Sequence, residues 1–147
     1  MEFNKSYIGL RTDLLNLIEG ESNTVLDVGC ASGTNGDYLL KNNKADVVYG
    51  VEYVNDMAKE AQKSNTKVFC GDLNSGTFRE TIGNESPLFD YILFGDVLEH
   101  LLNPEEVLTD LKSNLKPNGK IIISLPNIAH IELFIQVYLK GTFPRNP

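Results

Sequence analysis

The chain has 147 residues, 41% hydrophobic and 22% charged, which suits one domain with a real core. Its formal net charge of −7 excludes a broad basic face of the kind that holds nucleic acid, so no nucleic-acid partner is expected. Two cysteines, Cys30 and Cys70, make no disulfide framework, no apolar run approaches the roughly 18 residues of a membrane span, and the polar start Met1–Lys5 reads as no leader; a reducing cytoplasm is the expected compartment.

In chain order, residues 5–19 place Tyr7, Ile8, Leu10, Leu14, Leu15, Leu17 and Ile18 on one face of a helix. Residues 24–28 read as a first strand, 35–43 as a helix, Asp46–Val51 as a second strand and Asn55–Lys63 as a helix. Lys67–Cys70 reads as a third strand, 75–83 as a weak helix, and the Gly/Asn/Ser/Pro cluster at 83–87 as a loop. Asp90–Phe94 is a fourth strand. Asn103, with Pro104 behind it and Glu106 three residues on, has the form of a capping box opening the next helix. Pro117-Asn118-Gly119 reads as a turn, Lys120–Leu125 as a fifth strand and 128–139 as an apolar final helix. Strands alternating with helices predict an α/β fold, a doubly wound parallel sheet with ligands beyond the carboxyl ends of its strands.

The most informative stretch is Val25-Leu26-Asp27-Val28-Gly29-Cys30-Ala31-Ser32-Gly33: a buried strand feeding a tight turn at a helix start. Glycine there opens backbone angles closed to other residues and lets a ligand approach the main chain. Glu52 stands at the end of the next apolar run, where a carboxylate accepts two hydrogen bonds side by side from a ribose diol. The pattern fits a nucleoside ligand. A dinucleotide fingerprint counted from Gly29 needs glycines where Ala31 and Thr34 stand, which disfavours a nicotinamide oxidoreductase, and a Gly-Lys-Ser/Thr phosphate loop is absent from the sequence.

The same residues resemble motif I of the class I S-adenosylmethionine (SAM) methyltransferases, Val-Leu-Asp-Val-Gly-Cys-Gly-x-Gly, with Ala31 in place of the middle glycine. The likeness extends over roughly residues 5–140. Gly50-Val51-Glu52 resembles the segment whose acid takes the ribose, with Tyr53 beside adenine; Gly71-Asp72-Leu73 resembles the loop whose acid takes the adenine amino group while the next residue packs on the ring. Phe89–Phe94 resembles motif IV, and Gly95–Leu101 the loop near the methionine part of the cofactor. Leu115–Lys120 and Ser124–His130 resemble the segments around strand five in a type 11/12/23-like subgroup often associated with sugar or surface-polysaccharide genes.

The resemblance implies a Rossmann-like sheet of order 3-2-1-4-5 and a single SAM-binding domain over 1–147. It implies SAM as cofactor and S-adenosylhomocysteine (SAH) as product. The cofactor residues expected from it are Asp27, Gly29, Cys30, Ala31, Gly33, Glu52, Tyr53, Asp72, Leu73, Asp96 and Val97. Asp96 is placed at the methionine ammonium, and His100 is the expected base for a hydroxyl acceptor, small-molecule or sugar-linked. Ala31 is expected to narrow the approach to the ligand slightly. Ordinary roles stand beside these: Asp72 and Asp96 as caps, Glu52 as a surface acid, Tyr53 in the core, Glu99 as a structural or solvated acid. Asp96, Glu99, His100 and a later His130 also resemble the metal set of small-RNA 2′-O-methyltransferases, although Asp96 stands where those have Glu; no metal is expected.

Family members usually carry two more strands, six and seven, beside strand five. Here the sequence ends about one helix after it, so a truncated product is expected. The exposed strand-five edge or the C-terminal helix is then a candidate homodimer surface. A non-catalytic SAM-binding module or inactive fragment is the alternative to an active enzyme.

Overall fold

A computed structural model describes residues 9–126. Its elements run α1 (Thr12–Leu15), β1 (Asn23–Val28), α2 (Thr34–Lys41), β2 (Ala45–Glu52), α3 (Asn55–Gln62), β3 (Lys67–Cys70), α4 (Gly76–Glu85), β4 (Phe89–Gly95), a 3-10 turn at Leu98–His100, α5 (Pro104–Lys112) and β5 (Leu115–Ser124). The five strands form one sheet in the order β3-β2-β1-β4-β5, parallel at every pairing. The expected Rossmann-like architecture and strand order are both observed. No helix of the described residues is long and apolar enough to cross a membrane.

Side chains alternate across a strand, and the two central strands are apolar on both faces because both faces are covered. Leu26 and Val28 of β1 and Ile92 and Phe94 of β4 pack with Ile82 of α4 and with Val107 and Leu111 of α5. Val25, Tyr91 and Leu93, one residue out of phase, pack with Leu14 and Leu15 of α1 and Leu39 of α2 on the other face. Each fully buried Leu, Ile or Phe in these layers contributes about 1.5–3 kcal/mol relative to exposure. Asp27 shares the phase of Val25, so the pleat drives a carboxylate into an apolar layer. The Asn35 amide compensates in part, and the residue lies near the strand's end, where the site opens.

Three local expectations are corrected. The helix expected over 5–19 is, among the described residues, the single turn α1. Leu17 and Ile18 donate to Leu14 and Leu15 carbonyls in i→i+3 bonds, and Lys44 Nζ takes the carbonyl of Ile18 at 2.9 Å. The apolar spacing there marks a buried wall, with Ile18 1% exposed, rather than a long helix. The loop expected at 83–87 starts later, since α4 continues through Gly83 to Glu85, helped by Asn114 Nδ2 donating to the Gly83 carbonyl at 3.1 Å. The turn expected at 117–119 is an irregularity inside β5: Leu115 pairs with Phe89 but Lys120 with Tyr91, so β5 spends five residues where β4 spends two. Pro117 has no N–H for the ladder, and Asn118 takes a left-handed φ of 68° that interrupts the regular strand. The apolar helix expected at 128–139 lies outside the described residues.

Candidate active site

A cavity of about 460 Å³ opens beyond the carboxyl ends of β1–β4, at the point where the chain switches from one side of β1 to the other. The turn after β1 supplies Gly29 and Ala31; the end of β2 supplies Glu52 and Tyr53; the loop after β3 supplies Gly71, Asp72, Leu73 and Asn74; the loop after β4 supplies Asp96, Val97, His100 and Leu101. A smaller recess next to it shares Gly29, Ala31 and Asp96 and adds Arg11, Asp27, Cys30 and Asn35. Of the expected residues, Gly33 alone lines neither. It caps α2 at φ 85°, and a Cβ there would come 2.9 Å from the Ala61 backbone. Gly33 is where α2 and α3 meet.

Backbone bonds to β2 shape the turn. Gly29 and Cys30 both donate to the Val51 carbonyl, at 2.8 and 3.0 Å. Gly29 sits at φ 75°, and a Cβ on it would overlap Val97 Cγ2, so this position requires glycine twice over. Ala31 sits at φ 49°, also left-handed. The glycine usual at this place therefore supplies backbone freedom, and alanine costs about 1–2 kcal/mol of strain there. Strain joins the narrowing expected from the methyl group as a consequence of Ala31.

Glu52 closes the ring of bonds. Its Oε2 accepts from Ala31 N at 2.8 Å, and its Oε1 from Tyr53 N and Val54 N, both at 2.9 Å. Three N–H donors fix the carboxylate against the cavity. Glu52 lines the cavity, and with about four lone-pair sites on its two oxygens it keeps acceptor capacity on Oε2 beyond these three bonds. Tyr53 is 73% exposed at the rim, not in the core. Asp72 Oδ1 accepts from Asn74 N at 2.9 Å, which folds the loop that presents Leu73, itself only 8% exposed.

Opposite the turn, Asp96 carries a φ of 56° and a dense set of bonds. Its Oδ2 accepts from Arg11 Nη1 at 2.7 Å and its Oδ1 from the Ser124 hydroxyl at 2.8 Å. Arg11 also reaches Ser124 Oγ at 3.3 Å, and its backbone N–H bonds to Asn35 Oδ1 at 3.0 Å. A cation and an anion thus stand side by side where the two cavities join. The sequence reading singled out Asp96 but neither Arg11 nor Ser124. Arg11-x-Asp13 just before the Leu14–Leu15 pair was the available signal for a held arginine: Asp13 binds the guanidinium from the other side at 2.9 Å.

Asp27 is 3% exposed and its Oδ2 has no hydrogen-bond partner. Burial pushes its pKa up to about 7; the Asn35 amide opposes the shift and the charge of Glu52 adds to it. Cys30 is buried against Gly50, and burial raises its thiol pKa far from reactivity, with the charges of Asp27 and Glu52 adding. Burial raises the Glu99 pKa also, opposed by its own backbone N–H and by His100. His100 Nε2 lies 3.7 Å from Glu99 Oε1, with 64% of its side chain exposed at the cavity mouth. Among the described residues, no three His, Cys, Asp or Glu side chains converge as a metal set. His130 lies outside them.

A family model described as a methyltransferase domain matches residues 3–145. This chain belongs to that family. As a methyltransferase domain it is 32% identical over 109 residues to the ubiquinone biosynthesis O-methyltransferase of Coxiella burnetii, covering 70% of this chain and 43% of that protein. The chain thus spans less than half the length of this curated relative. Among solved structures, the plantazolicin methyltransferase BpumL in complex with SAH is similar, with a TM-score of 0.64 and 22% identity, covering 85% of this chain and 48% of that one. The [4+2]-cyclase SpnF is similar too, with a TM-score of 0.60 and 20% identity over 76% of this chain and 42% of its own. These likenesses show the methyltransferase domain's fold. A shared fold does not fix the reaction.

Proposed function

We propose that this methyltransferase domain binds SAM in the cavity beyond β1–β4 and transfers its methyl group to a hydroxyl of a small-molecule or sugar-linked acceptor. The observation that carries the reading is the Glu52 carboxylate, bound by Ala31, Tyr53 and Val54 N–H groups at the cavity wall. An acid held this way suits a ribose diol. Tyr53, Asp72 and Leu73 line the same cavity on the β3 side of Glu52, two apolar side chains to pack on adenine and one acceptor for its amino group. On the other lies the Arg11–Asp96 pair, whose opposite charges match a zwitterionic amino-acid end: Asp96 toward the ammonium, Arg11 toward the carboxylate. The unpartnered Asp27 Oδ2 adds a second acceptor in the adjoining recess. Gly29 and Cys30 are read as the backbone wall between the two halves, with Val97 packed over Gly29.

When bound, the sulfonium supplies an already activated methyl group. The protein's part is to hold the acceptor in line and to exclude water. His100, exposed at the mouth, takes the proton of an acceptor hydroxyl, the role histidine most often fills as a general base. Oxygen rather than nitrogen as acceptor is supported by the likeness to the Coxiella burnetii O-methyltransferase. We place the domain in the reducing cytoplasm, where Cys30 and Cys70 stay thiols.

The alternative reading is a module that binds SAM without methylating. Incubation with methyl-labelled SAM and a panel of hydroxylated aromatics and sugars separates the two. The expected result is label transfer to at least one hydroxyl, reduced about 100-fold or more in His100→Ala with SAH binding kept. A folded chain that binds SAH and labels none of the panel leaves the module.

A further inference from the structure

Arg79 sits in α4 with only 3% of its side chain exposed, and it lines no part of the cleft. Its guanidinium is nonetheless committed in three directions. Nη1 donates to the Leu73 carbonyl at 2.7 Å, Nε to Asp110 Oδ2 at 2.7 Å, and Nη2 to Glu106 Oε1. Glu106 passes the connection on: its Oε2 accepts from Asn103 Nδ2 at 3.1 Å, and Asn103 ends the loop that follows β4. That loop returns to the loop after β3 through Leu102 N–H, which donates to Asn74 Oδ1 at 2.9 Å. The bonds close a circuit: Leu73, Arg79, Glu106, Asn103, Leu102, Asn74.

Two acids on one helix would be enough to neutralise a buried guanidinium. The third bond goes instead to the carbonyl of a residue that walls the cleft. Stability alone does not require this, since apolar replacements of buried ion pairs are often neutral or stabilising. A planar fork does what an apolar side chain cannot, which is to set the distance between acceptors on two different segments, the loop after β3 and α5. We propose that Arg79 is a positioning residue: from outside the cleft it fixes the Leu73–Asn74 loop against the Leu101–Asn103 loop, and so sets the width of the slot between Leu73 and the His100–Leu101 side. The inference rests on the proposed SAM site, because it assigns that slot to the adenine end of the cofactor.

The test is SAH titration by calorimetry on wild type, Arg79→Lys, Asn74→Leu, Asn74→Asp and the Arg79→Lys/Asn74→Leu double variant, with amide exchange followed on each. Lysine keeps the charge but cannot span three acceptors. Arg79→Lys is expected to fold, with sheet amides protected as in wild type, and to bind SAH about tenfold more weakly. Asn74→Leu, which loses the acceptor for Leu102, should show a similar loss, and Asn74→Asp should recover most of it. Because the two positions act as one brace, the double variant should bind little worse than either single one. Wild-type affinity in folded Arg79→Lys, or losses that multiply in the double variant, would overturn the proposal.

If Arg79→Lys does not fold, Glu106→Ala takes its place, since Glu106 is 55% exposed and links Arg79 to Asn103. Weaker SAH binding with faster Leu102 exchange supports the brace, and wild-type values for both refute it. If wild type itself binds no SAH, the cofactor reading fails, and the brace is judged by exchange alone. The Asn74 and Leu102 amides should then speed up together in Arg79→Lys while the sheet stays protected; unchanged rates there end the proposal.

Discussion

Ala31 donates its backbone N–H to Glu52 Oε2 at 2.8 Å while its own φ is held at 49°. The turn after β1 and the acid after β2 are thus one unit. The bond that fixes the carboxylate also holds a non-glycine residue in the left-handed region.

That strain is measurable. Ala31→Gly removes about 1–2 kcal/mol of left-handed cost and gives back about 0.4–1 kcal/mol through the freer unfolded chain. The expected outcome is a net gain of about 0.5–1 kcal/mol, read as a rise of about 2–4 °C in melting midpoint. A lower midpoint would show that the alanine methyl contributes packing that outweighs its backbone cost.

Arg11 is expected to serve the amino-acid end of the cofactor and not its nucleoside end. Losing one charge-assisted bond costs about 1.5–3 kcal/mol, so Arg11→Met should weaken SAH binding at least about tenfold. Adenosine affinity should stay at the wild-type value. Equal losses for both ligands would mean that Arg11 only holds the fold.

Asp27 makes stability depend on pH in an unusual direction for a carboxylate. Its pKa is about 7 folded against 3.8 unperturbed, so between these values the folded state binds the proton and the unfolded state does not. Stability therefore falls as pH rises from 3.8 to about 7 and levels off above, by up to about 4 kcal/mol. Glu99, also raised by burial, acts in the same direction. Urea unfolding at pH 5 and pH 8 should show wild type markedly weaker at pH 8, and Asp27→Asn should remove most of that difference. An unchanged slope in Asp27→Asn would assign the pH dependence elsewhere.

Much of this was legible in the sequence, for local reasons. Tyr91–Phe94 is apolar without a break and Val25–Val28 is interrupted only by Asp27, as a strand covered on both faces requires, and the family resemblance implied the strand order. Gly29 and Glu52 were visible because a tight turn and a strand-end acid each leave a signature within a few residues. Arg11, Ser124, Asn74 and Arg79 were not: their partners lie 85, 113, 28 and 27–31 residues away, and only the folded sheet brings them together. Glu106 and Asp110 stand four apart on α5, a spacing that puts both carboxylates on one helix face, but nothing local names Arg79 as their partner. Ala31 was read for its side chain when its backbone angle also matters. The helix expected over 5–19 does not extend over 16–19, because a wall of buried residues in a tight turn can copy helical spacing.

The central claim is that this cleft takes a nucleoside cofactor of the SAM type through Glu52. The most direct measurement is calorimetric titration of the folded chain with SAH, with NAD as control ligand and Glu52→Ala as second protein. Micromolar SAH binding, no NAD binding, and a loss of about 100-fold in Glu52→Ala are predicted, the last from several charge-assisted bonds lost at once. No SAH binding by a folded chain, or equal binding by Glu52→Ala, would contradict it.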